Sequence, residues 1–150
     1  MKTLEQRVRE LADREEIKEL TAKYAHWVGR GEGVKVKDLF ADDGVFTNTV
    51  EGEGTNIDVR GREQLDKFYP TLQRGMALPC IHNHIIELDG DNAKGTCTIE
   101  VRISQKGRSV VGSGYYEDTY RRVNGQWKFV ARHSFFYHFV PLHQGWAEKS

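Results

Sequence analysis

The sequence predicts an α+β domain in which helices come first and antiparallel strands follow. In the first thirty residues, apolar side chains recur at spacings of three and four, as they do on one face of a helix. From residue 80 onward, runs rich in β-branched and aromatic residues are separated by short turns. No repeat or linker divides residues 1–150, so we expect one domain, with a curved sheet wrapped around the helices and a cone-shaped internal cavity.

The first helix is the clearest element. Asp13 and Glu16 give it a start that looks like a capping box. An apolar stripe follows, formed by Ile17, Leu20, Tyr24 and Val28, and glycines at positions 29, 31 and 33 end the helix.

Short elements are predicted next. They are a helix over 36–41, a turn at 42–44, a strand over 45–50, a glycine-rich loop over 51–56 and a third helix over 62–74 that Pro70 interrupts. Strands over 80–88 and 93–104 then lead to a hairpin around Asn124-Gly125.

The hairpin register decides which side chains share a face. A two-residue turn would set Tyr116 opposite His133, whereas a left-handed bulge at Gly125 would set Tyr116 opposite Arg132. Only the second register places Tyr116 and Arg132 together. Arg132 on an apolar strand needs a polar or anionic partner, either a ligand or a carboxylate such as Asp118.

Composition excludes several functional classes. Lysine plus arginine number 22, as do aspartate plus glutamate, so the basic surface that binds nucleic acid is absent. Cys80 and Cys97 lack metal-type spacing, and His82 and His84 have no further ligand beside them in the pattern. Without a phosphate-binding loop, signal peptide or long apolar run, we expect a cytoplasmic protein that uses no cofactor or metal and contacts no membrane.

The chain resembles the SnoaL-like family of the NTF2-like superfamily over nearly its whole length. The resemblance rests on helix residues 14–28, on segments 39–44, 83–91 and 125–129, and on the pattern Tyr116-x-Asp118-x-Tyr120. Within the family, the chain is similar to the scytalone dehydratases and hexachlorocyclohexane dehydrochlorinases. This resemblance implies an NTF2-like, cone-shaped α+β barrel, with a curved mixed or antiparallel sheet around three helices.

These relatives use an aspartate–histidine pair as the base, and the two matching positions hold Gly29 and Pro79. Neither residue can transfer a proton, so the family mechanism does not carry over intact. Glu32 is the nearest carboxylate in sequence. The other candidate bases are His26, His82, His133 and a phenolate.

Other family positions carry chemically useful residues. The resemblance assigns catalytic roles to Tyr116, Arg132, Tyr24 and Asn48, and it favours the register that joins Tyr116 to Arg132. We expect substrate contacts from Trp27, Val28, Phe46, Pro79, Cys97, Ile99 and Phe136. Of these, the resemblance gives Phe46, Pro79, Cys97 and Ile99, and the helix face and strand parity give the others. From the residues alone, Tyr24 lies on the apolar stripe, where core packing is the simpler role.

The resemblance implies a lyase or isomerase, of dehydratase or cyclase type, that acts on an apolar, aromatic or polyketide-like small molecule by acid–base chemistry. The alternative is a non-catalytic small-molecule binder or an accessory subunit of an oxygenase, since this fold hosts many functions. Buried, converging polar groups in the cavity would favour the enzyme. We also expect a homo-oligomer, a trimer rather than a dimer.

Overall fold

The structure is a computed structural model that describes residues 1–147. Its helices are α1 (Leu4–Arg30), α2 (Gly33–Lys37) and α3 (Gly61–Phe68), and a 3₁₀ turn (Tyr69–Thr71) follows α3. Its strands are β1 (Phe40–Val50), β2 (Gly54–Arg60), β3 (Ala77–Asp89), β4 (Asn92–Gln105), β5 (Arg108–Val123) and β6 (Gln126–Pro141). Within residues 1–147, no helix is long and apolar enough to cross a membrane.

Helix α1 starts earlier than predicted. Thr3 is the N-cap and forms a reciprocal capping box with Gln6. Asp13 lies inside the helix, where its carboxylate accepts hydrogen bonds from Arg122 at 3.0 Å and from the Trp127 indole at 3.2 Å. The predicted start at Asp13 was therefore wrong, because this carboxylate joins α1 to the distant β5–β6 hairpin.

The segment after α1 also differs from the prediction. The helix expected over 36–41 ends at Lys37, and Phe40 already begins β1. The expected turn at 42–44 is an irregular stretch of that strand, because pairing with β6 is interrupted between Phe40 and Val45. The expected loop over 51–56 contains the start of β2, which pairs antiparallel with β1.

One mixed sheet carries all six strands, in the order β2-β1-β6-β5-β4-β3. Strand β6 lies in its middle, parallel to β1 and antiparallel to β5. The curved sheet and the helices form the predicted NTF2-like α+β fold. The buried stripe of α1 packs among a cluster of aromatic rings that includes Phe40, Tyr69 and Phe129.

The hairpin uses a register that neither alternative described. Asn124 and Gly125 both have positive φ, which gives a two-residue turn of type I′, and Val123 pairs with Gln126. A bulge between Thr119 and Tyr120 then shifts the pairing by one residue. Tyr116 therefore lies opposite Ser134 instead of His133 or Arg132. With the tight turn alone, Tyr116 would share a face with His133. The bulge shifts the pairing by one residue, so Tyr116 and Arg132 lie on the same inner face.

A second bulge reorganises β3. The pairing with β4 shifts between His82 and Ile85, and Asn83 adopts a positive φ of 55°. The predicted bulge near residues 85–86 thus lies two residues earlier. It separates His82, which is exposed, from His84, which turns inward toward Tyr120.

Candidate functional site

An internal cavity of about 310 Å³ lies between α1, the end of α3 and the inner face of the sheet. Eight of the predicted site residues line it: Tyr24, Val28, Phe46, Asn48, Pro79, Ile99, Tyr116 and Phe136. Its volume is at the lower end of the range typical of small-molecule pockets. Most of its wall is aliphatic or aromatic, with polar groups at a few positions.

The polar groups in the wall hold one another in place. Tyr24 and Tyr69 join their hydroxyls at 3.0 Å. On the opposite wall, the Ser134 hydroxyl donates to Asn48 Oδ1 at 2.5 Å, and Asn48 Nδ2 donates to Asn56 Oδ1 at 2.8 Å. These pairs fix the orientation of the Asn48 amide and of the Tyr24 hydroxyl before any ligand arrives.

Tyr116 differs from the other polar residues of the cavity. Within residues 1–147, its hydroxyl has no hydrogen-bond partner, although the side chain is buried and lines the cavity. Its ring lies on the guanidinium of Arg132, with the Arg132 Cζ atom 3.5 Å from the ring centroid. Arg132 also faces the rings of Tyr24 and Phe129, at 4.3 and 4.7 Å. The Tyr116 hydroxyl is thus available to donate a hydrogen bond to a ligand in the cavity.

Arg132 itself does not line the cavity, which corrects its predicted contact with substrate. It is fully buried beneath Tyr116, and its Nε lies 3.4 Å from Asp118 Oδ1. Its Nε and Nη1 atoms have no hydrogen-bond partner within the described chain. The sequence left two partners open for the Arg132 guanidinium, a ligand or a carboxylate such as Asp118. In the structure, the Asp118 carboxylate lies beside the guanidinium.

Behind Arg132, a hydrogen-bonded chain continues along the inner face of the sheet to His84 on β3. The Tyr120 hydroxyl donates to Asp118 Oδ2 at 2.7 Å, and His84 Nε2 lies 3.0 Å from the same hydroxyl. Since Tyr120 has one proton to give, His84 must donate to it through Nε2, which leaves the lone pair on Nδ1.

Burial shifts the pKa values of the residues around this hydrogen-bonded chain. Desolvation raises the pKa of Asp118, against the opposing effects of Arg132 and Tyr120. For Arg132, burial opposes the charged form, yet Asp118 and the surrounding rings raise its pKa above the usual value. Arg132 is charged at neutral pH, because an arginine does not lose its proton in proteins, and its guanidinium favours the ionised form of the neighbouring Asp118 carboxyl. Desolvation, with Arg132 and Lys18, lowers the pKa of His84 to about 4, so its ring is neutral.

The phenols of the cavity act as donors. Burial raises the pKa of Tyr116 and Tyr69 well above the usual value for tyrosine, and it raises the pKa of Tyr24 as well. Each hydroxyl therefore keeps its proton at neutral pH. The structure contradicts the prediction of a phenolate base for these three residues.

None of the other predicted bases lines the cavity. His26 and His82 lie in a separate groove between α1 and β3, on the other side of the helix. His133 faces the outer side of the sheet, where its Nδ1 lies 2.5 Å from Thr47 Oγ1. Glu32 pairs with Lys35 at 2.9 Å. In the described part of the chain, the cavity wall contains no histidine or carboxylate.

Two predicted substrate contacts also lie elsewhere. Cys97 is buried below the cavity, with its Sγ 3.8 Å from the Arg132 guanidinium. Trp27 is turned by about 100° around α1 from Val28, so it covers a different face of the helix and lies 5.7 Å from Lys35 Nζ. Neither residue lines the cavity.

Three metal-type ligands meet behind the cavity without fitting a metal. The ligand atoms of His84, Cys97 and Asp118 lie within 4.8 Å of one another. Burial raises the pKa of the Cys97 thiol to about 12, so it is protonated, and Arg132 already supplies positive charge beside Asp118 and Cys97. A metal ion would have to approach a buried guanidinium, which is electrostatically unfavourable.

Ser134 and Tyr69 are two of the polar wall residues that the sequence-based prediction missed. Ser134 follows Arg132 on the same face of β6, so strand parity alone places it inward. Tyr69 lies in the 3₁₀ turn after α3, where periodicity gives no reliable direction. Its position next to Pro70 marks the end of the helix and gives no indication of the hydrogen bond to Tyr24.

Comparison with solved structures places this architecture among known folds. The structure of the hexachlorocyclohexane dehydrochlorinase LinA-type3 from Novosphingobium barchaimii is 22% identical, covers 90% of this chain and 93% of its own, and has a TM-score of 0.72. A candidate scytalone dehydratase from Novosphingobium aromaticivorans is 20% identical, with 91% of both chains covered and a TM-score of 0.75.

A third structure, an NTF2-like protein with a cystatin-like fold from Novosphingobium aromaticivorans, is 24% identical, covers 99% of this chain and 96% of its own, and has a TM-score of 0.68. At sequence identities this low, the similarity of these structures establishes a common fold and no shared activity. No curated protein matches the sequence significantly. The model of the SnoaL-like domain matches residues 9–133, most of the chain. The protein therefore belongs to the SnoaL-like domain family of the NTF2-like superfamily.

Proposed function

We propose that the protein is a cofactor-independent lyase or isomerase that acts on a small, largely apolar molecule bearing an oxygen or another electronegative group. The observation that carries the proposal is the unpartnered hydroxyl of Tyr116 in the cavity, with the Arg132 guanidinium 3.5 Å behind its ring. The aromatic wall favours an aromatic or polyketide-like substrate. The dehydrochlorinase and the candidate dehydratase of the same fold support this reaction class.

Tyr116 would supply the electrophilic part of the reaction. Its hydroxyl donates a hydrogen bond to a carbonyl oxygen or to a departing group, on which negative charge develops. The fixed charge of Arg132 stabilises electron density that shifts onto the Tyr116 oxygen. Asn48 and Tyr24 hold a second polar group of the substrate, because their own hydrogen bonds already fix their orientation.

Proton removal has to work without a base in the wall. A substrate with an acidic C–H bond, such as a β-hydroxycarbonyl compound, can lose its proton without a strong base from the protein. The C–H proton passes to water, the electron pair forms the new double bond, and the β-hydroxyl leaves with the proton that Tyr116 donates. Water then returns a proton to Tyr116.

Turnover of small aromatic and β-hydroxycarbonyl compounds in deuterated buffer tests the proposal, with products followed by mass spectrometry and NMR. We expect product formation or deuterium incorporation in the wild type and a loss of about tenfold or more in Tyr116→Phe. Tyr115→Phe is the matched control, because Tyr115 stacks on Phe135 outside the cavity. Equal turnover in Tyr116→Phe and wild type would remove Tyr116 from the mechanism.

One observation favours a second function, a non-catalytic binder of the same class of molecule. The cavity wall in residues 1–147 has no group that accepts a proton at neutral pH. Saturable binding that depends on Tyr116, without product or deuterium exchange across the panel, would support the binder. An accessory oxygenase subunit would in addition bind a partner chain through its outer surface.

A further inference from the structure

A groove of about 780 Å³ lies outside the cavity, between α1 and β3. One wall is the face of α1 that carries Lys18, Ala22, His26 and Arg30 at a spacing of four residues. The other wall is β3 from Leu78 to His84, and residues 74–75 close one end. Its volume falls within the range of small-molecule sites.

The charge of the groove is one-sided. Lys18, Arg30 and Arg74 line it, and within residues 1–147 no aspartate or glutamate does. None of these three cations forms an ion pair in the described chain. A protein of zero formal net charge thus has a groove whose charged lining residues are all cations.

The end of the groove that carries Arg30 and Arg74 is rigidly built. The Gly75 N–H donates to the Gly29 carbonyl at 2.9 Å, which fastens the loop to the end of α1. A Cβ atom at Gly31 would lie 2.5 Å from the Arg74 backbone nitrogen, so only glycine lets the loop approach this closely. Both arginines are near enough to Glu32 to help lower its pKa, after the larger effect of its Lys35 hydrogen bond. The backbones at Arg30 and Arg74 therefore lie next to each other at this end of the groove.

The middle and the opposite end of the groove have different chemistry. Small side chains on α1, Ala22 and Ala25, face the apolar Leu78 and leave room for a flat apolar group. Lys18 lies twelve residues from Arg30, about 18 Å along a helix. Next to it, His84 offers Nδ1 as an acceptor, because its Nε2 is held by Tyr120.

We infer that this groove binds a small amphipathic organic acid, with its carboxylate at Arg30 and Arg74 and its apolar body along α1 toward Lys18. A hydroxyl at the far end of such a ligand would donate to His84. This site is separate from the cavity in which Tyr116 would act, and Pro79 is the residue that lines both. Binding of an acid in the groove does not require that Tyr116 acts in the cavity.

Calorimetric titration at low salt with naphthalene-2-carboxylate and with naphthalene-2-carboxamide tests the inference. We expect the acid to bind about tenfold more tightly than the amide, because its carboxylate can pair with two exposed guanidinium groups. Arg30→Gln/Arg74→Gln removes this preference. Lys94→Gln, an exposed cation on β4 outside the groove, keeps it.

Tyr116→Phe separates the two sites. We expect it to keep the preference for the acid, and we expect the ring signals of His82 and His84 to shift on binding in NMR spectra. Equal affinity for acid and amide would mean that the arginines only compensate the carbonyls at the end of α1, and would overturn the inference. So would a preference that survives in the double variant or disappears in Tyr116→Phe, or no binding of the acid at millimolar concentration.

Discussion

Arg132 Nε lies 3.4 Å from Asp118 Oδ1, and neither side chain has any exposed surface. Arg132→Met should lower the free energy of unfolding by about 3–5 kcal/mol, because it leaves the Asp118 carboxylate buried without its counter-charge. Arg132→Met/Asp118→Asn should recover most of this loss, as both charges are then absent. Urea unfolding measures both effects. A double variant as unstable as the single one would show that the two charges are not coupled.

His84 should make the stability depend on pH. Its pKa is lowered from 6.5 to about 4 in the folded protein, first by burial and then by Arg132 and Lys18. Between these pH values the unfolded chain binds more protons, so the contribution of His84 is present above pH 6.5 and is lost as the pH falls to 4. We expect about 2 kcal/mol, because the ring is partly open to solvent.

Urea unfolding of wild type and His84→Gln at pH 7 and pH 4 measures this contribution. The difference between the two proteins should change with pH, which separates His84 from carboxylates that also titrate near pH 4. His143→Gln is the control, since His143 is exposed after the end of β6. A pH-independent difference for His84→Gln would contradict the prediction.

Restoring the family dyad should supply the missing base. In Gly29→Asp/Pro79→His we expect turnover of an accepted substrate to rise by at least about tenfold, since a positioned base contributes typically about 10²–10⁴-fold. A Cβ atom added at Gly29 would meet the flexible Leu78 side chain at 3.3 Å, so the new carboxylate can be accommodated. Gly29→Asn/Pro79→His is the control, because it lacks the carboxylate. No gain over this control would place the chemistry away from the family's dyad positions.

The bulge in β3 should tolerate only certain residues. Asn83→Ile should cost about 1–2 kcal/mol, since a β-branched residue is strained at the positive φ of 55°. Asn83→Gly should cost little, because glycine adopts this conformation freely. Thermal unfolding compares them, with His82→Ile as the control in the regularly paired neighbour. A similar loss in Asn83→Ile and His82→Ile would show that the backbone conformation does not limit this site.

The outer face of the sheet should form a contact between subunits. The rings of Tyr115 and Phe135 stack at 5.3 Å, and Tyr137 beside them is 62% exposed. Such an aromatic patch on a protein without net charge favours self-association. We expect a trimer by size-exclusion chromatography with light scattering, and smaller species for Tyr137→Lys. Thr119→Lys, exposed elsewhere on β5, should not change the mass.

The sequence predicted those parts of the molecule that depend on local periodicity. Ile17, Leu20, Tyr24 and Val28 are all buried, because residues three and four apart share one face of a helix whatever it packs against. Asp13 was misread because its partners, Arg122 and Trp127, lie more than one hundred residues away. No local pattern distinguishes a capping carboxylate from one that receives a distant cation.

The candidate site was predicted only in part, because two bulges change strand parity. Tyr116, Asn48 and Phe136 line the cavity, and their roles toward a substrate stay predictions. Arg132 is on the predicted face but lies below Tyr116, since Asp118 is directly opposite in the pairing of β5 and β6. His84 turned inward because of a backbone kink at Asn83, and an asparagine in a strand pattern gives only a weak signal for such a kink.

The place of β6 in the sheet also bears on how the chain acquires its fold. This strand is the last of the six to leave the ribosome, yet it joins the β1–β2 ribbon to the β3–β4–β5 meander. Until residues 126–141 emerge, the two halves of the sheet present unpaired edges and cannot enclose the aromatic cluster. Folding of the domain is therefore expected to await β6 and to be slow for a domain of this size, with the nascent edges as points where chaperones would bind.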